Sequence, residues 1–221
     1  MVAGRITSSA LLAIFFLIFA TILGPTEYGE MGYLIAIAGT FSIVSMFGLP
    51  QTVVVYLAKE NKILAHQLNL LAVITASVAS IMLLFLNVYA AVLCLGISFF
   101  MLYQHNLLGE KKYQRHLKSA IFRSSLTFVI PFPLYFVLGL PGILLGMAIG
   151  NIISSVWLVN SVSFKVKSFG LIKSNYKVLI NNFGIDSSMN LVRGIDRLLV
   201  ATLFGFLSTG IYLSIFKFYL D

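Results

Sequence analysis

Charged residues and cysteine are both scarce in this sequence. Only 10% of its 221 residues are Asp, Glu, Lys or Arg, whereas 59% are apolar, and the mean hydropathy is +0.99. A soluble domain needs more polar surface than this composition supplies. The composition therefore predicts an all-α, polytopic transmembrane helical bundle whose spans are about 20 residues long. The single cysteine, Cys94, excludes an intrachain disulfide.

Motifs for metal and nucleotide chemistry are missing as well. The sequence contains no CxxC, no HExxH and no cluster of its three histidines, so we expect no metal site. It contains no GxxxxGK[ST], so we expect neither a nucleotide-driven motor in this chain nor a cofactor. The net charge of +8 indicates the positive-inside bias of a membrane protein rather than nucleic-acid binding.

The sequence does contain eight apolar segments. The last has only 14 residues, fewer than the roughly 20 that a membrane-crossing helix needs. We therefore expect the sequence to be part of a longer protein. The segments cover residues 6–24, 31–49, 67–86, 88–107, 119–139, 142–163, 178–204 and 207–220.

The connections between these segments alternate in charge. Those after segments 1, 3, 5 and 7 contain no Lys or Arg, and the first carries Glu27 and Glu30. The other connections are basic, which is typical of the cytoplasmic loops of multi-pass proteins. The alternation predicts a multi-pass protein of the cell membrane with a cytoplasmic N-terminus. The basic residues are Arg5, then Lys59 and Lys62, then Lys111, Lys112, Arg115 and Lys118, then Lys165, Lys167, Lys173 and Lys177.

Two stretches predict departures from straight spans. Pro131 and Pro133 should bend segment 5, because a proline removes a backbone donor and clashes with the preceding turn. Residues 50–66 mix apolar and charged side chains at helical spacing. We interpret the second half of this stretch as a short helix that lies at the cytoplasmic interface.

A weak internal similarity links the two ends of the chain. ATILGPTEYG begins at Ala20, ATLFGFLSTG begins at Ala201, and four of the ten positions are identical. If segments 7 and 8 repeat segments 1 and 2, the unit is a six-helix lobe and the repeat is parallel. We then expect a lobe over residues 1–165, and over 166–221 a linker with the first two helices of an incomplete second lobe. Substrate sites in such proteins lie between the lobes.

Segment 7 carries a stripe of polar residues inside its apolar run. The spacing places them on one helical face, and Asp196 lies beside that face, three residues after Arg193. A charge at the centre of the bilayer costs from about 2.5 to more than 10 kcal/mol, so the stripe should face a watery cavity or a partner lobe. The stripe consists of Asn182, Asp186, Asn190, Arg193 and Arg197.

Three roles for these charges remain open. Arg193 and Asp196 could form a structural i,i+3 ion pair. Arg193 and Arg197 could bind an anionic substrate such as a diphosphate, because the guanidinium fork matches phosphate oxygens. Asp196 or Asp186 could titrate or bind Na⁺ in coupling. The roles can coexist, with Asp196 holding Arg193 in the empty state.

Arg123, near the start of segment 5, is a further candidate. It either snorkels to the cytoplasmic interface or contacts the diphosphate as the substrate enters. Gln104, His105 and Asn106 end segment 4 on the same side. We interpret these three residues as a helix end in the headgroup zone.

Three stretches together resemble the polysaccharide and O-antigen flippases of the multidrug/oligosaccharidyl-lipid/polysaccharide exporter superfamily. LGPTEYG followed by FGLPQ resembles the passage from helix 1 to helix 2 and its end. GEKKYQRHLKSAIFR resembles the connection between helices 4 and 5, and GIDRLLVATLFGFLSTGIY resembles the passage from helix 7 to helix 8. The resemblance covers most of the chain, although none of these motifs is catalytic.

The resemblance implies a flippase that makes and breaks no covalent bond. Such a protein moves a polyprenyl-diphosphate-linked oligosaccharide from the inner to the outer leaflet by alternating access of two six-helix lobes. Its partners would be the lipid-linked glycan, the bilayer and the missing C-terminal lobe, and this chain alone would be inactive. The alternatives are a multidrug or small-cation exporter of the same superfamily, whose cavity should expose unpaired carboxylates, and a non-transporting scaffold with a fully ion-paired segment 7.

Overall fold

The computed structural model describes the backbone of residues 2–161 and 176–216, and the side chains of residues 7–159, 177–184 and 195–214. Every regular element in these ranges is helical, which confirms the predicted all-α fold. The elements are α1 Val2–Ile22, α2 Pro25–Met46, α3 Leu49–Ala58, α4 Lys62–Leu84, α5 Val88–Gly109, α6 Tyr113–Val129, α7 Pro131–Leu138, α8 Leu140–Ser154, a 3-10 helix Val156–Ser161, and α9 Tyr176–Phe216.

Five stretches of the described chain are long and apolar enough to cross a membrane. Three shorter apolar helices, Thr7–Ile22, Leu49–Ala58 and Leu140–Ser154, accompany them. Together they confirm a polytopic membrane protein. The five spans are Pro25–Met46, Lys62–Leu84, Val88–Gly109, Tyr113–Leu138 and Ile195–Ser214.

Local sequence explains where several helices begin. Pro25 occupies the first turn of α2, where its missing N–H would have no helical partner. The Asn87 side chain accepts hydrogen bonds from the backbone N–H groups of Tyr89 and Ala90, at 2.9 and 3.0 Å, and so caps α5. Gly139, with φ of 66°, reverses the chain between α7 and α8. These turns place successive helices antiparallel.

The prediction for residues 50–66 was wrong in position and in environment. The short helix is α3, Leu49–Ala58, in the first half of the stretch. The second half contains a turn at 59–61 and the start of α4, whose first turn is capped by the Asn61 side chain. Leu49, Val53 and Tyr56 are buried against α4 and α5, so α3 belongs to the bundle. Its apolar residues therefore pack inside the protein rather than on a lipid surface.

The regular helix of segment 5 is interrupted for one residue just before the two prolines, where Ile130 keeps helical φ of −70° and ψ of −40°, and the predicted bend stays a prediction. α6 ends at Val129 and α7 begins at Pro131, so Ile130 separates the two helices. Proline cannot donate the hydrogen bond that would continue the helix. The interruption packs against α8, where a Cβ on Gly146 would lie 2.6 Å from the Pro131 Cα. Gly146 therefore permits the close approach of α8 to the break.

The bundle contains two buried apolar clusters. One lies at the lysine-free end, where the turns at residues 23–24, 85–87 and 139 meet, and it includes Phe15, Phe19, Met31, Leu93 and Ile143. The other lies at the basic end, where the turns at 59–61 and 110–112 meet, and it includes Met46, Val53, Leu64, Leu68 and Leu102. The region between the two clusters holds the polar groups of the candidate site.

Helix α9 contains the predicted break between segments 7 and 8. Gly205, with φ of 80° and ψ of 173°, is not helical and divides α9 into two halves. The first half reaches the turn between α2 and α3, where the Phe183 ring stacks on Phe47 with centroids 4.8 Å apart. The second half crosses α2, where Tyr33 and Phe206 have ring centroids 5.4 Å apart.

The crossing of α2 and α9 is reciprocal. Gly29 lies against the backbone carbonyl oxygen of Phe206, and Gly210 lies against that of Pro25. Phe206 and Gly210 follow Pro25 and Gly29 by 181 residues, which is the offset of the two similar stretches. Residues without a side chain let two helix backbones approach closely in a membrane. The division into lobes at residues 165 and 166 stays a prediction.

Candidate functional site

The Arg123 guanidinium lies among the helices. It stands 4.7 Å from the Phe100 ring centroid, and one terminal nitrogen donates a long hydrogen bond of 3.4 Å to the Asn151 Oδ1. The Nε atom is buried and has no hydrogen-bond partner in the part of the chain that the structure describes. Arg123 therefore occupies the interior at α5, α6 and α8, which is not the arrangement expected of an arginine that snorkels outward.

Arg123 has no carboxylate partner among the described side chains. The one ion pair in those ranges joins Lys112 to Glu110 at 2.6 Å, at the basic end. A guanidinium carries five N–H donors and is always charged. One long bond to an amide and one aromatic contact leave most of these donors unused. Arg123 is only partly exposed, and a cation withdrawn from water without a counter-charge is costly. The site therefore has both the charge and the donors to bind an anion.

A cavity of about 380 Å³ adjoins this guanidinium, and we refer to it as the Arg123 cavity. Gln104 contributes an acceptor to this cavity, because its buried Oε1 has no hydrogen-bond partner among the described residues. Its Nε2 donates a hydrogen bond of 2.8 Å to the Ser119 Oγ. The cavity lining comprises Gly39, Ile43, Gln51, Ile97, Phe100, Met101, Gln104, His105, Arg123 and Asn151.

The helices hold these groups in place through local bonds. The Asn151 Nδ2 donates to the Met147 carbonyl at 2.7 Å, which turns the Oδ1 of that amide towards Arg123. His105 Nδ1 lies 2.7 Å from the Met101 carbonyl one turn earlier. Ile97, Met101 and Gln104 recur at helical spacing, so α5 presents one face to the cavity. The two side-chain bonds orient polar groups that would otherwise be free to rotate.

Gln104 and His105 were assigned to a helix end in the headgroup zone, and that assignment was wrong. Helix α5 continues to Gly109, and both residues line the Arg123 cavity. Asn106 is also buried, and it exchanges hydrogen bonds of 2.8 and 2.9 Å with Asn69 of α4. Within this run, Asn106 and the Gln104 Nε2 have partners on neighbouring helices, whereas His105 bonds to its own helix.

Asp196 connects the two halves of α9. Its Oδ2 accepts a hydrogen bond of 2.8 Å from the Tyr212 hydroxyl, and its Oδ1 accepts one of 2.8 Å from the Arg197 backbone N–H. Tyr212 lies beyond the break at Gly205. The Arg197 guanidinium has no ion pair among the described side chains. Asp196 therefore links the two parts of α9 on either side of Gly205.

The remaining stripe residues are only partly described. Asp186, Asn190 and Arg193 lie in helical backbone, but their side chains fall outside the described residues. The predicted Arg193–Asp196 ion pair therefore falls outside them too. Asn182 is described, and its Nδ2 donates a hydrogen bond of 2.8 Å to the Thr52 Oγ1 of α3. The start of the stripe thus faces the protein rather than lipid.

The structure places the candidate residues in two locations. The Arg123 cavity is lined by α2, α3, α5, α6 and α8, whereas Asp196 and Arg197 lie on α9, which packs on α2 and α3. Asn151 and Gln51 were not predicted. The sequence signal that could have identified Asn151 is an amide inside the apolar run GMAIGNII. Its hydrogen bond with Arg123 could not be predicted, because it depends on how α6 and α8 pack.

Comparison with protein families gives one match over almost the whole chain. The family described as polysaccharide biosynthesis protein matches residues 1–220. Comparison with curated proteins gave no match, and comparison with solved structures gave none.

Proposed function

The chain belongs to the polysaccharide biosynthesis protein family, and from this membership we propose that it is a flippase for a lipid-linked oligosaccharide. The proposed cargo is a polyprenyl-diphosphate-linked glycan, which moves from the inner to the outer leaflet of the cell membrane. Movement across a bilayer needs no covalent step, so the protein acts as a transporter rather than an enzyme. Its work is to give the charged diphosphate a polar route.

The unpaired guanidinium of Arg123 is the observation that supports an anionic cargo most directly. Among the described residues its buried Nε has no partner, and the hydrogen bond that it makes there, to Asn151, is long. A diphosphate would supply both the missing charge and several acceptor oxygens, and bonds between guanidinium and phosphate are among the stronger hydrogen bonds in proteins. The cavity of about 380 Å³ falls within the usual size of ligand pockets.

Arg197 is a second cation suited to the same cargo. Asp196 accepts hydrogen bonds from the Tyr212 hydroxyl and the Arg197 backbone N–H, and the Arg197 guanidinium has no ion pair with any described side chain. We propose that Arg123 and Arg197 contact the diphosphate in different conformations of an alternating-access cycle. The two proposed lobes, over residues 1–165 and from 166 onward, would move against each other during that cycle.

The orientation follows from charge. The basic end of the bundle, with Lys59, Lys62, Lys111 and Lys112 in its turns, would face the cytoplasm. The N-terminus would lie on the same side. The diphosphate would then reach Arg123 from the cytoplasmic side.

The alternative cargo, a drug or small cation, has less support from the described residues. A cation exporter needs unpaired carboxylates in its cavity, whereas the lining of the Arg123 cavity contains an arginine and no Asp or Glu. In a non-transporting scaffold, a partly buried Arg123 without a counter-charge among the described side chains would cost stability and serve no function. The positive charge of the cavity lining therefore favours an anionic cargo.

Replacement of Arg123 tests this proposal. The full-length protein would be reconstituted in liposomes that contain a polyprenyl-diphosphate oligosaccharide, and transport would be followed by the accessibility of the glycan to a lectin. Loss of one charged hydrogen-bonding group costs about 1.5–3 kcal/mol, so Arg123→Gln should slow transport by about tenfold or more. Arg123→Lys should retain part of the rate, because the charge remains without the fork.

Lys62→Gln is the matched control, because it removes one positive charge from an exposed position at the basic end. It should transport at the wild-type rate. Equal rates for wild type and Arg123→Gln, at equal amounts of inserted protein, would contradict the proposed role of the cavity.

A further inference from the structure

A second cavity lies at the basic end, and the proposed transport route does not account for it. Its volume is about 710 Å³, and it is bounded by the last turns of α5, the first turns of α6 and the 3-10 helix. We refer to it as the basic-end cavity. Its charged lining consists of Lys112, Arg115, Lys118 and Glu110.

The charge of this lining is positive. Lys112 is paired with Glu110 at 2.6 Å, so these two side chains largely neutralise each other. Arg115 and Lys118 have no ion pair with any described side chain, and both are exposed. They are three residues apart on α6, so they lie on one face of the helix. Two adjacent cations at the mouth of a cavity favour a phosphate group.

The same cavity has an apolar wall. Phe122 and Trp157 line it and are 43% and 55% exposed. Trp157 is the only tryptophan in the sequence, and tryptophan is enriched where a membrane protein meets the interface between lipid and water. Val129 follows Phe122 by seven residues on α6 and is 60% exposed. An apolar surface therefore leads from the cations along α6 towards the hydrocarbon region.

The basic-end cavity and the Arg123 cavity are separate. Gln104 lines the Arg123 cavity and Ser119 lines the basic-end cavity. The hydrogen bond of 2.8 Å between their side chains lies in the wall that divides the two. Arg123 takes no part in the lining of the basic-end cavity. A ligand in one cavity therefore does not need the other to be occupied.

We propose that the basic-end cavity binds an anionic phospholipid of the surrounding leaflet. Its phosphate would sit between Arg115 and Lys118, and its glycerol and upper acyl chains would pack on Phe122 and Trp157. Basic pockets between transmembrane helices bind anionic lipid headgroups in this way. The chemistry combines one anionic head with an apolar tail, which matches the two walls. Phosphatidylglycerol is a lipid of this class.

The apolar wall distinguishes a lipid from a soluble phosphate. Inorganic phosphate would meet Arg115 and Lys118 but would leave Phe122 and Trp157 in contact with water. A phospholipid covers both walls at once. We therefore expect phosphatidylglycerol to bind the full-length protein, and inorganic phosphate to compete only weakly with it.

Native mass spectrometry of the detergent-solubilised, full-length protein measures this binding directly. The protein would be titrated with dioleoyl phosphatidylglycerol and, separately, with dioleoyl phosphatidylcholine. Each cation near an anionic lipid contributes to the binding free energy. Loss of two such contributions in the double variant Arg115→Gln, Lys118→Gln should lower the affinity for phosphatidylglycerol about 30-fold. Phosphatidylcholine should bind weakly to both proteins. The double variant Lys59→Gln, Lys62→Gln removes the same charge at the same end but outside the cavity, and it should keep the wild-type affinity.

A variant that is expected to raise the affinity distinguishes a change in binding from a defect in folding, because a folding defect would only lower the affinity. Glu110→Gln removes the carboxylate that pairs with Lys112, so the cavity gains one positive charge and should bind phosphatidylglycerol more tightly. Equal losses of phosphatidylglycerol affinity in the two double variants would overturn the proposal, because the affinity would then depend on net charge and not on the cavity. Displacement of the lipid by inorganic phosphate at matched concentration would overturn it too, since the apolar wall would be irrelevant. Unchanged affinity in Glu110→Gln would likewise count against it.

Discussion

The crossing of α2 and α9 leads to a prediction about stability, because it leaves no room for a methyl group. A Cβ on Gly210 would overlap the Pro25 carbonyl oxygen and would lie 2.8 Å from the Pro25 carbonyl carbon. These atoms belong to a helix backbone and cannot rotate away. Gly210→Ala must therefore push the two helices apart. Gly184 lies in the same helix, and a Cβ there would meet nothing within 4 Å.

The pair Gly210→Ala and Gly184→Ala isolates the cost of the crossing. Alanine improves helix propensity by about 1 kcal/mol over glycine at either position, so that gain cancels in the comparison. Overpacking a tight contact costs about 1–3 kcal/mol. Gly210→Ala should therefore be about 1–3 kcal/mol less stable than Gly184→Ala.

Unfolding of the full-length protein in mixed micelles, titrated with a denaturing detergent and followed by circular dichroism, measures this difference. Gly29→Ala should behave like Gly210→Ala, because its Cβ would overlap the Phe206 carbonyl oxygen. The double variant should cost less than the sum of the two, since one displacement relieves both contacts. Equal stability of Gly210→Ala and Gly184→Ala would refute the close crossing.

Two further changes test single contacts. Tyr212→Phe removes the hydrogen bond of 2.8 Å to Asp196, and it should destabilise the protein by about 1.5–3 kcal/mol in the same unfolding assay, because the acceptor is a charged group; a loss of the same size in an Asp196→Ala background, where the acceptor is gone, would contradict this. Asn87→Ala removes the cap of α5 and should cost about 1 kcal/mol; Asn87→Ser should recover most of that loss in thermal unfolding, and no recovery would argue against capping.

The helical spans were largely predictable from sequence. Long apolar runs and alternating basic connections depend only on local composition, which is why the end of segment 7 near Gly205 was predicted. α3 was misplaced because a short helix with mixed apolar and charged residues has no local sign of burial. Tyr56 and Val53 are buried only because α4 and α5 happen to cover them.

The candidate site was predictable in part. Arg123 stood out as a charge in an apolar segment, and its identity as a candidate needed no structure. Its partners could not be derived, because Phe100, Gln104 and Asn151 lie on two other helices and become neighbours only through tertiary packing. The hydrogen bond between Asn182 and Thr52 spans 130 residues, and no periodicity within segment 7 contains that information.

The reciprocity of the α2–α9 crossing bears on how such an interface could arise. Pro25 and Gly29 meet Phe206 and Gly210 in matching pairs, so the contact is isologous, as in a symmetric homodimer. One surface that is complementary to itself is sufficient to build it. Two copies of a shorter chain could make this contact, because each close approach needs only a glycine on one side and a backbone carbonyl on the other. In a single chain, a side chain added at either glycine would disturb both close approaches, because the two belong to one crossing.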